Sequence, residues 1–134
     1  MDNTLVAAET GLATPELERW LERLKNDGFQ VIIVSNNCRR RVAQVADELD
    51  IPYISRARKP SRRAFHQALG LLRLEPDETV MGGDQLLTDI YGGKRLGLYT
   101  ILVNPISPVE KWTTRVNRFF EKGIIRLLKK QGRY

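Results

Sequence analysis

Apolar residues along this chain keep changing period, and each change marks an element. Leu17, Trp20, Leu21 and Leu24 recur at helical spacing behind Thr14-Pro15-Glu16, a threonine that can cap free N–H groups, a proline suited to the first helical position and an acid suited to the positive end. This predicts a helix that ends near Asn26-Asp27-Gly28. The unbroken run FQVIIVS over 29–35 is β-branched and too short for a helix, which predicts a parallel strand covered on both faces. A helix over 38–49 follows, with Val42, Val45, Ala46 and Leu49 inward, then a turn at Asp50-Ile51-Pro52 and a short strand over 53–55. Pro60 is expected to open a helix to Leu72 that buries Ala64, Phe65, Ala68, Leu69 and Leu72. Strands over 79–82 and 100–103 enclose a last helix over 87–96. Strands alternating with helices at this spacing predict an α/β fold, a parallel sheet with helices on both faces.

At 134 residues and 42% hydrophobic content the chain is of single-domain size. No apolar run approaches the roughly 18 residues of a membrane span, and the start does not read as a signal peptide, so the expected location is cytoplasmic. A lone cysteine, Cys38, cannot form an internal disulfide. The net charge is +6, and its distribution divides the chain. Residues 1–109 carry 14 Lys+Arg and 14 Asp+Glu, whereas 110–134 carry 8 Lys+Arg against Glu110 and Glu121. The expected organisation is therefore a core over 1–109 and a basic, amphipathic helical tail over 110–134.

Parallel sheets bind ligands at the carboxyl ends of their strands, and polar residues mark those ends here. Asp2 and Thr4 open the chain, Ser35 and Asn36 follow VIIV, Lys59 precedes the third helix, and Asp84 and Asp89 follow VMGG. Brought to one edge, these groups suit a magnesium ion and a phosphate. The acids would hold the hard cation, while Lys59 and Ser35 would bind phosphate oxygens. Gly82-Gly83 is not a phosphate-binding P-loop, because no Lys-Ser/Thr follows it. His66 falls on no motif, and Cys38, without an apparent histidine partner, is assigned to packing. Arg39-Arg40-Arg41 is read either as a solvated helix start or, near a phosphate site, as help in binding an anionic substrate.

DNTL, a strand ending in Ser, a Lys-Pro and GDQLLTD occur in the order of the four motifs of haloacid dehalogenase (HAD)-type phosphatases. The strings DNTLV, IVSNN, ARKP and GDQLLTDIYGGKRLGLYTILV resemble the YqeG-type subfamily over nearly the whole chain. The resemblance implies a Rossmann-like fold, a magnesium requirement and an aspartyl-phosphate intermediate. By position, it makes Ser35 the hydrogen-bonding partner of the transferring phosphoryl group and Lys59 the cation that neutralises it and orients the nucleophile. It makes Asp84 a metal ligand, Asp89 a ligand directly or through water, and Thr4 a support of the loop; Thr4, Asn36 and Arg39 are the candidate substrate-binding residues. No gap is long enough for a cap domain, so an open site is expected.

The first motif departs from the family pattern. The YqeG-type string DLDNTL puts Asp2 in the second, acid/base place, with metal contact, and Met1 between the two acids. The nucleophile would precede Met1 and the central first strand would precede it in turn. The expectation is an internal methionine, with little turnover by the chain as written. The other register makes Asp2 the nucleophile and Thr4 the acid/base position; it is disfavoured because it puts Val6 where a loop threonine is usual, and because a two-residue terminus holds a nucleophile poorly.

Eukaryotic relatives of this subfamily are phosphatidylglycerophosphate phosphatases, so the resemblance points to a lipid phosphate as substrate. In the tail, Trp112, Val116, Phe119, Phe120, Ile124, Leu127 and Leu128 alternate with a basic stripe. Two readings stay open for it: a helix packed on the sheet, or a helix lying on anionic lipid. Nucleic acid is less favoured, since no aromatics interleave with the basic face. The competing class for the whole chain is a non-catalytic binding protein that docks on membrane, RNA or protein. Oligomeric state is not legible.

Overall fold

The computed structural model describes residues 4, 5 and 12–105. Asp2 and the tail over 110–134, with the division between core and tail, lie outside the described residues. Helix α1 (Pro15–Asn26) starts as its sequence predicts: Thr14 is the N-cap, its hydroxyl accepts from Leu17 N–H, and Pro15 occupies the first turn. Strand β1 (Ile33–Val34) leads to α2 (Arg39–Glu48), β2 (Tyr53–Ile54) and α3 (Arg62–Leu72). Lys25 of α1 donates to the carbonyls of Leu49 and Asp50, placing a cation on the carbonyl end of α2. A 3₁₀ turn (Pro76–Glu78) precedes β3 (Val80–Gly83), a π-helical turn (Leu86–Ile90), α4 (Tyr91–Lys94) and β4 (Tyr99–Leu102).

All strand pairing among the described residues is parallel. Ile33 and Val34 pair with Tyr53 and Ile54, and Val80 to Gly83 pair with Tyr99 to Leu102. Alternation along β1 distributes it between two layers. Ile33 faces Leu21 of α1 and Val42, Val45 and Ala46 of α2, whereas Ile32 and Val34 face Ile54, Ala64 and Ala68. Helices thus cover both faces of the β1–β2 pair. Phe65 and Leu69 of α3 continue to Met81 of β3 and to Leu98, so α3 spans the two strand pairs. Among the described residues β1–β2 and β3–β4 are separate two-stranded sheets, with no strand bonded between β1 and β3. The opposite face of β3–β4 presents Val80, Tyr99 and Ile101, 54, 66 and 56% exposed.

Several boundaries correct the sequence reading. The strand expected over 29–35 narrows to two bonded residues, and Phe29 is exposed. Helix α3 starts at Arg62 rather than Pro60, because the Ser61 hydroxyl accepts from Arg63 N–H and takes the N-cap place. Trp20 was expected inward and is 49% exposed, while Leu21 alone on α1 is fully buried. Cys38, expected to pack, is an exposed N-cap. His66 is exposed. The helix expected over 87–96 is replaced by the π turn and the four residues of α4.

Candidate active site

Two parallel pairs deliver their following loops to the same edge, and a chain of contacts joins them there. From β1, Ser35 is buried and its hydroxyl accepts from Asn37 N–H at 3.2 Å; its carbonyl accepts from Ala57 N–H at 2.9 Å. Asn36 braces the next loop with both ends of its amide, accepting from Lys59 N–H at 2.7 Å and donating to Lys59 carbonyl oxygen at 3.3 Å. The Lys59 backbone is thereby fixed, and its ammonium reaches 2.5 Å from Asp89 Oδ1. Both side chains are nearly solvent-free, 6% and 4% exposed. A buried charge pair of this kind is tolerable only with further hydrogen bonds. Here Asp89 Oδ2 accepts from Gln85 N–H at 3.2 Å.

The π turn explains how Asp89 arrives there. Ile90 N–H and Tyr91 N–H bond five residues back, to Gln85 and Leu86 carbonyls. The wider turn makes Thr88, Asp89 and Ile90 consecutively buried, where an α-helix would turn one of three successive side chains toward solvent. Asp89 also lies directly against Gly83: a Cβ added there would overlap the Asp89 carboxylate. The sequence carried that signal as Gly82-Gly83 after a strand, but its meaning was close approach rather than phosphate binding. Asp84, the next residue, is buried and accepts from the Thr4 hydroxyl at 2.6 Å across 80 residues of chain. Thr88 donates to the Gln85 side chain. Gln85 and Thr88 belong to the site's support and were not singled out by sequence, since their roles depend on the π turn.

At this edge Lys59 pairs with Asp89, Thr4 pairs with Asp84, and Ser35 is buried at the end of β1. Asn36 serves the first pair by holding Lys59. Arg39 lies on the first turn of α2, exposed, with its guanidinium donating to the Tyr53 hydroxyl at 3.4 Å; that bond pushes its pKa further up, so it is a permanent cation. Asp2 lies outside the described residues. Among the described residues no group of three or more His, Cys, Asp or Glu gathers as a metal site. A shallow depression lined by Ala46, Asp47, Asp50, Ile51, Pro52 and Tyr53 contains none of Ser35, Lys59, Asp84 and Asp89. No helix among the described residues is long and apolar enough to cross a membrane.

Known proteins resemble this chain in sequence and fold. Residues 2–97 match the haloacid dehalogenase-like hydrolase family. The probable phosphatase YqeG of Bacillus subtilis is 46% identical over 132 residues, 98% of this chain and 77% of that protein. A glyceraldehyde 3-phosphate phosphatase of Pyrococcus furiosus is 28% identical over 65% of this chain and 40% of its own length. The crystal structure of a HAD phosphatase from Thermococcus onnurineus superposes with a TM-score of 0.62 at 28% identity, covering 75% of this chain and 50% of that one. The chain thus spans about half or less of these two archaeal proteins and about three quarters of YqeG. With residues 2–97 matching the family and 46% identity to YqeG across most of both chains, the chain belongs to the haloacid dehalogenase-like hydrolases, among the YqeG-type phosphatases.

Proposed function

We propose that this site hydrolyses a phosphate monoester with the help of magnesium, through an aspartyl-phosphate intermediate, and that the substrate is a lipid phosphate such as phosphatidylglycerophosphate. The observation that carries the reading is the buried Lys59–Asp89 ion pair, which ties the loop after β2 to the turn after β3, with Ser35 buried after β1 and Asp84 buried after β3. Asp84 and Asp89 form a hard oxygen donor set of the size magnesium uses, one or two carboxylates with the remaining positions left to water. In the YqeG-type register Asp84 would be the direct ligand, and Asp89 would hold the ion directly or through water. Bound there, the ion would neutralise charge on the transferring phosphoryl group.

The chain's own groups divide the remaining work. The Ser35 hydroxyl accepts from Asn37 N–H, so its own proton can be donated to a phosphoryl oxygen. Lys59, fixed in backbone by Asn36 and in charge by Asp89, supplies a preorganised cation beside the same oxygens. In the YqeG-type register the Asp2 carboxyl protonates the leaving alcohol, and as carboxylate it then takes a proton from the water that opens the acyl phosphate. In that register the attacking carboxylate belongs to the acid two positions before the acid/base place. The alternating basic and apolar stripes of residues 111–130 support work on a membrane surface.

The test is phosphate release from phosphatidylglycerophosphate and from soluble phosphate monoesters, with magnesium, by this chain and by a chain extended through its upstream in-frame residues. The extended chain is expected to turn over and the shorter one not. Lys59→Met and Asp84→Asn in the extended chain are expected to lower kcat/KM by about 10²–10³-fold. Equal activity in both lengths would refute the register, and activity indifferent to Asp84→Asn would refute the metal role.

A further inference from the structure

One face of β3–β4 is apolar and open. In the parallel register Val80 pairs with Tyr99 and Gly82 with Ile101, and alternation puts all four on the same side. Val80, Tyr99 and Ile101 are each more than half exposed, and a Cβ added at Gly82 would meet nothing within 4 Å. The other side is filled: Met81 packs with Phe65, Leu69 and Leu98, and a Cβ added at Gly93 would press on Thr100 and Met81. Helix α3 also packs on β1–β2, through Ala64 and Ala68. The open side of β3–β4 is therefore the side on which α1 and α2 cover Ile33. Two helices cover β1–β2 there, and among the described residues none covers β3–β4.

The chain itself offers a cover of matching size. Residues 6–11 have only Val6 and two alanines as apolar groups, too little to cover two strands. Residues 106–134 follow β4 closely, and Trp112, Val116, Phe119 and Phe120 recur among them at helical spacing. As a helix, 112–120 rise about 12 Å; the four-residue strands β3 and β4 span about 13 Å. A helix that follows a parallel strand ordinarily packs back across the same sheet, so it would run from the end of β4 toward the start of β3. Charge agrees with that direction. Residues 75–78, just ahead of β3, hold three acids and no base, with Asp77 and Glu78 exposed, while Arg118 and Lys122 stand at the far end of the apolar stripe.

We propose that the open face of β3–β4 is the docking surface of the chain's own segment 110–122, which lies on it as a helix with Trp112, Val116, Phe119 and Phe120 turned to Val80, Tyr99 and Ile101. The segment is then the third helix of the layer that α1 and α2 begin. Its apolar stripe is occupied by the sheet, and its basic stripe stays at the surface. Any contact with an anionic membrane is made by those basic side chains, with no apolar insertion by this part of the segment. The inference is independent of the phosphatase reading, because it rests on the sheet face and the segment's pattern alone.

The test uses the full 134-residue chain carrying Trp20→Phe, which leaves Trp112 as its sole tryptophan, at a concentration where sedimentation shows a monomer. Without vesicles, Trp112 emission is expected to be blue-shifted from that of the urea-unfolded chain. The amides of 112–120 are expected to exchange at least about tenfold more slowly than in an unfolded chain. Tyr99→Asp with Ile101→Asp puts charge on the open face and should return both signals to their unfolded values. Leu71→Asp, at an exposed position of α3, should leave them unchanged. Phe119→Asp probes the same contact without touching the sheet and should release Trp112 as the double variant does. A Trp112 as exposed as in the unfolded chain would overturn the docking, as would protection that survives the charges at positions 99 and 101. Protection lost on dilution from dimer to monomer would assign the face to a second copy, and protection that arises only with phosphatidylglycerol vesicles would assign the stripe to lipid. Either result would overturn the proposal.

Discussion

Lys59 is held at both ends, its backbone by Asn36 and its ammonium by Asp89. Removing that ammonium leaves a buried carboxylate unpaired. Lys59→Met should destabilise the fold by about 3–5 kcal/mol, and adding Asp89→Asn should recover part of it, since the remaining groups are then neutral. Urea unfolding of the two variants checks this, and a loss below about 1 kcal/mol for Lys59→Met would mean the pair is solvated. The two glycines after β3 make a sharper pair. A Cβ at Gly82 meets nothing within 4 Å, whereas one at Gly83 overlaps Asp89. Gly83→Ala should cost about 1–3 kcal/mol through overpacking and displace Asp89, while Gly82→Ala should stay within about 0.5 kcal/mol.

At the scale of elements, periodicity and capping were legible because they are local. The α3 stripe of Ala64, Phe65, Ala68, Leu69 and Leu72 is buried as its spacing predicts, and Thr14 caps α1. Trp20 shows where locality fails. It shares a helical stripe with Leu21, but α1 offers its narrow contact to α2 and β1 through Leu21, so the larger residue lies at the margin. Leu21→Ala should therefore cost about 2–5 kcal/mol, and Trp20→Ala about 0.5 kcal/mol or less, an order opposite to side-chain size and readable by thermal unfolding. The π turn was illegible for the same reason. Leu86 to Ile90 has an ordinary helical composition, and only the need to seat Asp89 against Gly83 and Lys59 selects the wider turn.

For the molecule as a whole, the proposed metal and phosphate site predicts linkage between ligand and fold. Magnesium with phosphate at about 100 times its dissociation constant should stabilise the chain by about 2.7 kcal/mol. The gain should vanish in Asp84→Asn, which removes the charge proposed to hold the ion while keeping the side chain's shape. Differential scanning calorimetry with and without the two ligands reads the shift directly; an equal gain in both proteins would rule out Asp84 as ligand. The exposed face of Val80, Tyr99 and Ile101 belongs to the same scale, since the alternation of elements predicted a parallel sheet with helices on both faces and the described residues cover one face of β3–β4.

By itself the sequence determined the order of helices and strands, the inward stripes of α2 and α3, the α/β class and the residue types available at each strand end, because period, caps and turn residues act over a few positions. The site's connections came only with the tertiary structure. Thr4 meets Asp84 across 80 residues and Lys59 meets Asp89 across 30, partnerships that exist because parallel crossovers bring distant loops to one edge. The fate of the opening DNTL illustrates the division. Its motif named Thr4 as a support, and the fold supplied the carboxylate that Thr4 supports.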